Sequence, residues 1–385
     1  MIRSTHSPLA RERRATLRCS LGAFAILAFA LPVAAGDDVG GCPLFPANNI
    51  WNVPIDTLPV DPSSDAYIAT IGTSVGVHPD FGTFYRGAPI GIPFVVVPFD
   101  QPLVDVSFEY DSESDPGPYP IPPNPPIEGG PDSDGDRHIL IVQLGADGEP
   151  CTLHELYAAY PAKDGAWTAG SGARWDLSSN ALRPDGWTSA DAAGLPILPG
   201  LVRYDEVASG EIRHALRFTC VQTRKAHVWP ARHDASSSTN PARPPMGQRF
   251  RLKSSVNVGD FPVEVRPIVE AMKTYGIILA DNGSNWYVTG THDVRWDDDA
   301  LSSLGDLKGF MFEAVDVSGL IVDPDSGAVA LKTPADLNGD GAVSGDDLGL
   351  LLAAWGTTRP TLADLNGDGT VSGPDLTLLL AAWTG

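Results

Sequence analysis

Asp336-Leu-Asn-Gly-Asp-Gly-Ala-Val-Ser-Gly-Asp-Asp347 and Asp364-Leu-Asn-Gly-Asp-Gly-Thr-Val-Ser-Gly-Pro-Asp375 are two copies of one acidic segment, 28 residues apart. A hard cation needs several oxygen ligands on a tightly turning loop, and alternate residues here supply them. In the first copy Asp336, Asn338 and Asp340 point inward, Gly341 makes the sharp turn and Ala342 lends its carbonyl. Ser344 acts directly or through water, and Asp347 closes the shell from the start of a helix. The second copy repeats the scheme with Asp364, Asn366, Asp368, Gly369, Thr370, Ser372 and Asp375. Two matching copies define two Ca2+ sites far better than one would.

Each loop runs into an apolar helix, with Leu348, Leu351, Leu352 and Trp355 in the first and Leu376, Leu379, Leu380 and Trp383 in the second. Those positions recur at helical spacing and predict a small all-α, calcium-binding domain over 331–385. A repeated loop–helix pair with Asp at the last ligand position resembles type I dockerin repeats, from about Pro334 to Gly385. The resemblance implies calcium binding and docking of a secreted enzyme onto a cohesin on a scaffold or cell surface. Where that family often carries a partner-reading Ser-Thr pair, this chain has Gly345-Asp346 and Gly373-Pro374.

The other end reads as a signal peptide over residues 1–35. Arg3, Arg11, Arg13, Arg14 and Arg18 precede an apolar run from Leu21 to Ala35, which ends in Val33-Ala34-Ala35, a fit to signal-peptidase cleavage. The run is shorter than the roughly 20 residues that span a bilayer, and no later stretch could span one. Residues 1–35 hold five Arg and one Glu, so their removal takes the formal net charge from −22 to −26. Such a field excludes nucleic acid and anionic membranes as partners of the whole surface. Cys42, Cys151 and Cys220 remain, and export permits one disulfide. All three pairings are open; Cys42 with Cys151 is preferred because it pins the new N-terminus to the core.

Between these ends, residues 36–330 predict a mainly β domain, sandwich or jelly-roll-like, with a few short helices. Strand-like runs occupy 93–98, 103–110, 138–143, 152–157, 212–220, 225–229, 248–253 and 286–289, with turn residues between them. Ser189 reads as a helix cap, and 201–208 and 263–275 carry helical spacing with Ile268, Met272 and Tyr275 toward the core. The proline-rich stretch 112–126 is extended backbone; it either straps a sheet or lines a groove with Tyr119.

Candidate chemistry follows from residue type. Asp132, Asp134 and Asp136 have calcium-loop spacing, but Arg137 and Gln143 stand where an EF-hand needs Gly and its closing acid. A complete EF-hand is excluded; a third Ca2+ half-site completed by Glu128 or carbonyls is not. On an extended strand His154 lies on the face opposite Glu155 and Tyr157, and His138 can adjoin either. Tyr204, Asp205, Glu206, His214 and Arg217 follow, in a stretch (174–253) holding twelve Lys and Arg against seven Asp and Glu. The catalytic candidates are His138, His154, Glu155, Tyr204, Asp205, His214 and Arg217. Hydrolysis would pair Glu155 with Asp205 or Glu206. Elimination would use Tyr or His as base and Arg on a uronic carboxylate, which favours an anionic polymer. Asp281-Asn282-Gly-Ser-Asn-Trp286 reads as a polar turn. No Gly-x-Ser-x-Gly, His-Glu-x-x-His or phosphate-binding Gly loop occurs. The expected function is a secreted glycoside hydrolase or polysaccharide lyase; the alternative is a non-catalytic carbohydrate-binding or cell-surface protein.

Overall fold

The computed structural model describes Met1 and residues 38–330, 333–338, 342–358 and 361–384. The expected signal peptide, Asp340 and Gly341 therefore lie outside the described residues. The mainly β expectation holds, with short helices throughout and two helices at the C-terminal end.

A four-stranded sheet divides two apolar cores. Its order is Ser171–Asp176, Thr152–Tyr157, Ile139–Gln143, Phe94–Val97, with the last pair parallel and the others antiparallel. Leu140, Val142, Leu153, Ala173 and Trp175 face the larger core, whereas Ile139, Ile141, Leu156 and Val97 face the smaller. Both faces are thus dry, which explains why Ile139-Leu-Ile-Val142 is a continuous apolar run rather than an alternating one. Tyr157 follows from the register Ile139↔Leu156 as the cross-strand neighbour of His138, and their rings lie 5.6 Å apart.

A six-stranded mixed sheet forms the rest of the large core. Its order is Phe312–Ala314, Arg249–Leu252, Ile277–Asn282, Leu216–Cys220, Tyr287–Thr289, His78–Asp80. Trp286 stacks between Phe218 and Phe312 at its centre. Phe218 pairs with Leu279 and Thr219 with Asp281, so Ala280 is an extra residue in a bulge. Bulges re-aim side chains, and this one sits beside Asp281.

Some local readings change. Residues 225–229 form no strand, only an isolated bridge at His227. Ser189 caps no helix: its hydroxyl accepts from Asp191 N and donates toward Leu195 O, closing a turn. The helix expected over 263–275 is Arg266–Thr274, with Ile268 and Met272 fully buried. The proline stretch straps the small core: Tyr119 is fully buried, its hydroxyl donates to Asp115 O and Arg174 lies over its ring. Tyr119 therefore lines no groove, because apolar burial outweighs exposure of its ring.

Cys42 and Cys151 form the disulfide, and Cys220 is buried with its thiol pushed up to about 12 by burial. The bridge closes a loop of sequence separation 109. A loop of that length confines the unfolded chain strongly, so the Cys42→Ala/Cys151→Ala double variant is expected to lose about 3 kcal/mol. Urea denaturation checks this; a loss under about 1 kcal/mol would contradict it.

At the C-terminal end Ala335, Val343, Leu351, Ala363, Val371 and Leu379 make a third cluster, drawn only from the two repeats. Helices Gly345–Ala353 and Gly373–Ala381 start at Ser344 and Ser372, each in a capping box with Asp347 or Asp375. The expected apolar faces divide: Leu351 and Leu379 are buried, whereas Leu352, Trp355, Leu380 and Trp383 are exposed.

Candidate functional site

Where the strands Ile139–Gln143, Thr152–Tyr157 and Ile277–Asn282 end, a polar cleft of about 450 Å³ opens. Its chemistry comes from Glu113, Asp136, Tyr157, Asp191, His233 and Asp281. A charged residue inside the buried strand Leu216–Cys220 organises the floor. Arg217 donates from Nε to Asp191 Oδ2 at 2.7 Å and from Nη2 to Asp191 Oδ1 at 2.8 Å, a bidentate pair. Nη1 donates to Thr289 at 2.7 Å, and Nη2 reaches Asp281 Oδ2 at 3.4 Å. The Asp191 side chain has no exposed surface, but that of Asp281 is 25% exposed. Burial, and then the neighbouring Asp191 charge, push the Asp281 carboxyl up to about 7 despite Arg217. The floor thus holds one carboxylate locked by a bidentate arginine, and another able to carry a proton near neutrality.

Buried behind Ala190 of the lining is His138. Its Nδ1 lies 2.6 Å from Glu128 Oε2 and its Nε2 lies 3.0 Å from Ala190 O. Burial alone would lower the imidazole pKa, but the Glu128 carboxylate takes it up to about 9. Glu128 is itself held below its ordinary value, because His138 outweighs its burial. Asp136 Oδ, Glu128 Oε and a His138 ring nitrogen all lie within 4.8 Å of one another. Asp132 and Asp134 are exposed and stand outside this group, so the three-aspartate half-site does not form as spaced. Glu128, weighed as its completing ligand, does take part.

The other candidates scatter. Glu155 shares the His138 face but is fully buried and accepts from Ile197 N and Leu198 N, so no substrate can meet it. Burial pushes it up to about 7. His154 faces the small core, bonds Gln143 and is lowered to about 3 by burial. Tyr204 packs on Trp296, and the exposed Asp205 pairs with Arg295 at 2.8 Å. His214 is buried between Glu206 and Ala215 O. Glu155 therefore cannot flank a substrate bond with Asp205 or Glu206. The Arg-rich stretch is spent internally as well, on pairs such as Arg183–Asp115, Arg203–Glu206 and Arg251–Glu313. Sequence reasoning missed Asp191 and Asp281 as site residues; the available signal was Arg217 itself, since an Arg in a buried strand demands a buried acid.

A larger concavity, about 580 Å³, is walled by Pro93, Pro125, Pro126, Pro131, Phe84 and Trp167. It is mainly apolar: Arg137 and His292 join the lining, but no carboxylate does, so it lacks the paired acids of the cleft.

In the C-terminal loops both carboxylate oxygens of Asp347 are engaged: Oδ1 accepts from Leu337 N and Asn338 N, and Oδ2 from Ser344 N. These amides hold it below the ordinary carboxylate range, the one from Ser344 most strongly. Asp375 does the same with Asn366 N and Ser372 N. Gly369 has φ +87°, the left-handed turn that a side chain resists. Asp364 Oδ1 is buried without a hydrogen-bond partner. An orphaned carboxylate oxygen at the first ligand position is costly unless a cation meets it, so the donor set fits Ca2+. The loops also brace each other, with Thr384 N on Val343 O and Gly356 N on Val371 O.

The described chain is thus a mainly β protein carrying a paired, calcium-type loop–helix segment. Residues 334–382 match the family model of the dockerin type I domain. Such domains bind Ca2+ and cohesin partners, and are carried by enzymes or other proteins that are typically extracellular or on the cell surface. No curated protein and no solved structure matches this chain. Among the described residues no helix is long and apolar enough to cross a membrane.

Proposed function

We propose that this chain is an exported glycoside hydrolase that cleaves a polysaccharide in the Asp281 cleft and is held at its place of work by residues 331–385. The carrying observation is Asp281. It is open to the cleft, raised to about 7 so that it can carry a proton near neutral pH, and backed by an Asp191 that Arg217 holds with two hydrogen bonds. That is the environment of a general acid for a glycosidic oxygen. Glu113, partly exposed on the same cleft, supplies the second carboxylate. A lyase would need an Arg free to neutralise a uronic acid, and Arg217 is committed to Asp191. With Glu113 and Asp136 as further acids exposed on it, the cleft suits a neutral polymer rather than an anionic one. Reducing-end release from xylan, mannan and β-glucan tests the reading. Binding without sugar release from any of them would support the alternative, a non-catalytic carbohydrate-binding protein.

The tail is the docking part of the proposal. Asp336, Asn338, Asp340, Ala342, Ser344 and Asp347 hold one Ca2+, and Asp364, Asn366, Asp368, Thr370, Ser372 and Asp375 hold a second. The ions order the helices, and the exposed Leu352, Trp355, Leu380 and Trp383 offer a cohesin-like or cell-surface partner an apolar face. Affinity on the order of 10⁻⁴ M or tighter is expected. Asp336→Ala with Asp364→Ala should abolish calcium-induced ordering of the tail, read by circular dichroism, and leave melting of the large domain unchanged. An unaltered calcium response in that variant would remove these residues from the ligand set.

A further inference from the structure

We propose that Glu128, Asp136 and His138 form a site for a divalent transition-metal ion of the Zn2+ or Mn2+ class in the wall of the cleft. This does not depend on the cleft being hydrolytic. The first support is the direction of the imidazole. Nε2 faces the Ala190 carbonyl at 3.0 Å, and a carbonyl only accepts, so that nitrogen carries hydrogen. The other nitrogen, Nδ1, is turned toward Glu128 at 2.6 Å, and the proton it shares with that carboxylate is the one a bound metal ion would displace to solvent. Metal-bound histidines commonly donate their second N–H to such an acceptor, which fixes tautomer and ring plane.

The second support is the third donor. A proton between Nδ1 and Glu128 accounts for two of these groups, and nothing in that pair calls for another carboxylate. Yet Asp136 brings an oxygen within the same 4.8 Å. Neighbouring backbone bonds set all three in place: Glu128 N donates to His138 O at 3.1 Å and Ala158 N to Asp136 O at 2.8 Å. Access is graded, from His138 at 2% exposed through a half-buried Glu128 to an exposed Asp136, which gives an ion a way in from solvent.

Donor type selects the ion. Ca2+ takes oxygen ligands, as in the C-terminal loops, whereas one imidazole with two carboxylates suits Zn2+ or Mn2+. Three protein donors leave coordination positions for water or a sugar oxygen. Asp136 and Ala190 both border the cleft, so those positions adjoin it.

The test uses the full exported chain with its disulfide intact, in millimolar Ca2+ to fill the tail. Zn2+ is titrated calorimetrically, and Co2+ is followed by its visible ligand-field absorption. The wild type should bind one more Zn2+ than Glu128→Gln, and the Co2+ band should vanish in that variant. Asp136→Asn, altered only at an exposed side chain, should weaken Zn2+ at least as much as the roughly 10–100-fold loss typical of an outer-shell partner. Melting curves show that both variants fold. Equal Zn2+ affinity in the wild type and Asp136→Asn, or no zinc heat and no cobalt band in the wild type, would overturn the site and leave His138–Glu128 as an ion pair alone.

Discussion

Replacing Arg217 with methionine is expected to lower unfolding free energy at pH 7 by about 3–5 kcal/mol, the loss typical when one member of a buried ion pair is removed. Asp191 has no exposed surface and receives two hydrogen bonds from Arg217. Methionine fills much of the same space, so the effect reports the stranded carboxylate rather than a cavity. Asp191→Asn in the Arg217→Met background should recover part of the loss, since neutral partners need no counter-charge. Acidification should narrow the gap too, as the stranded Asp191 then takes a proton. Urea denaturation of the three proteins at pH 7 and pH 5 settles it. A loss below about 1 kcal/mol at pH 7 would show that Arg217 does not anchor the floor.

That pair also marks how far the sequence could be read. The dockerin-type loop–helix repeats were legible because each acidic loop spans only twelve consecutive positions, so turn and oxygen donors are local. The strand Thr152–Tyr157 was legible at the residue level, with His154 on one face and Glu155 with Tyr157 on the other, because strand periodicity is local too. The site floor was not. Arg217 meets Asp191 across 26 positions and Asp281 across 64, through a parallel strand pair and a bulge. No short-range pattern encodes such a meeting. Ser189-Ala-Asp-Ala-Ala looked like a helix start because a cap and an Asx-type turn use the same residues. Gly276-Ile-Ile-Leu-Ala-Asp281 gave no strand signal because a short apolar run after a helix is ambiguous by periodicity. His138 and Glu128 were each noted, but their pairing depends on a turn through Gly129 and Gly130 at positive φ, which spacing alone did not fix.

Asp281→Asn should cut turnover on the responsive polysaccharide by about 10²–10⁴-fold, the usual worth of a positioned acid. It should not harm folding, and the sign follows from linkage. The folded-state pKa of Asp281 is about 7, against 3.8 for the ordinary carboxyl, so the native chain holds this proton more tightly than the unfolded one. The stability it lends is therefore complete below pH 3.8 and is lost as pH rises toward 7, with a slope of up to about 1.4 kcal/mol per unit. Asparagine removes that fall. Glu155, also raised to about 7, and His138, raised to about 9, shift stability in the same direction but are common to both proteins. The variant should thus match the wild type near pH 4 and exceed it by about 2 kcal/mol at pH 8, after allowance for the exposed quarter of the side chain. Wild-type activity should decline above about pH 7 as the acid loses its proton. Paired pH–stability and pH–rate profiles separate the two roles. A variant that keeps activity within tenfold excludes Asp281 as the proton donor, and one less stable than the wild type at pH 8 contradicts the elevated carboxyl itself.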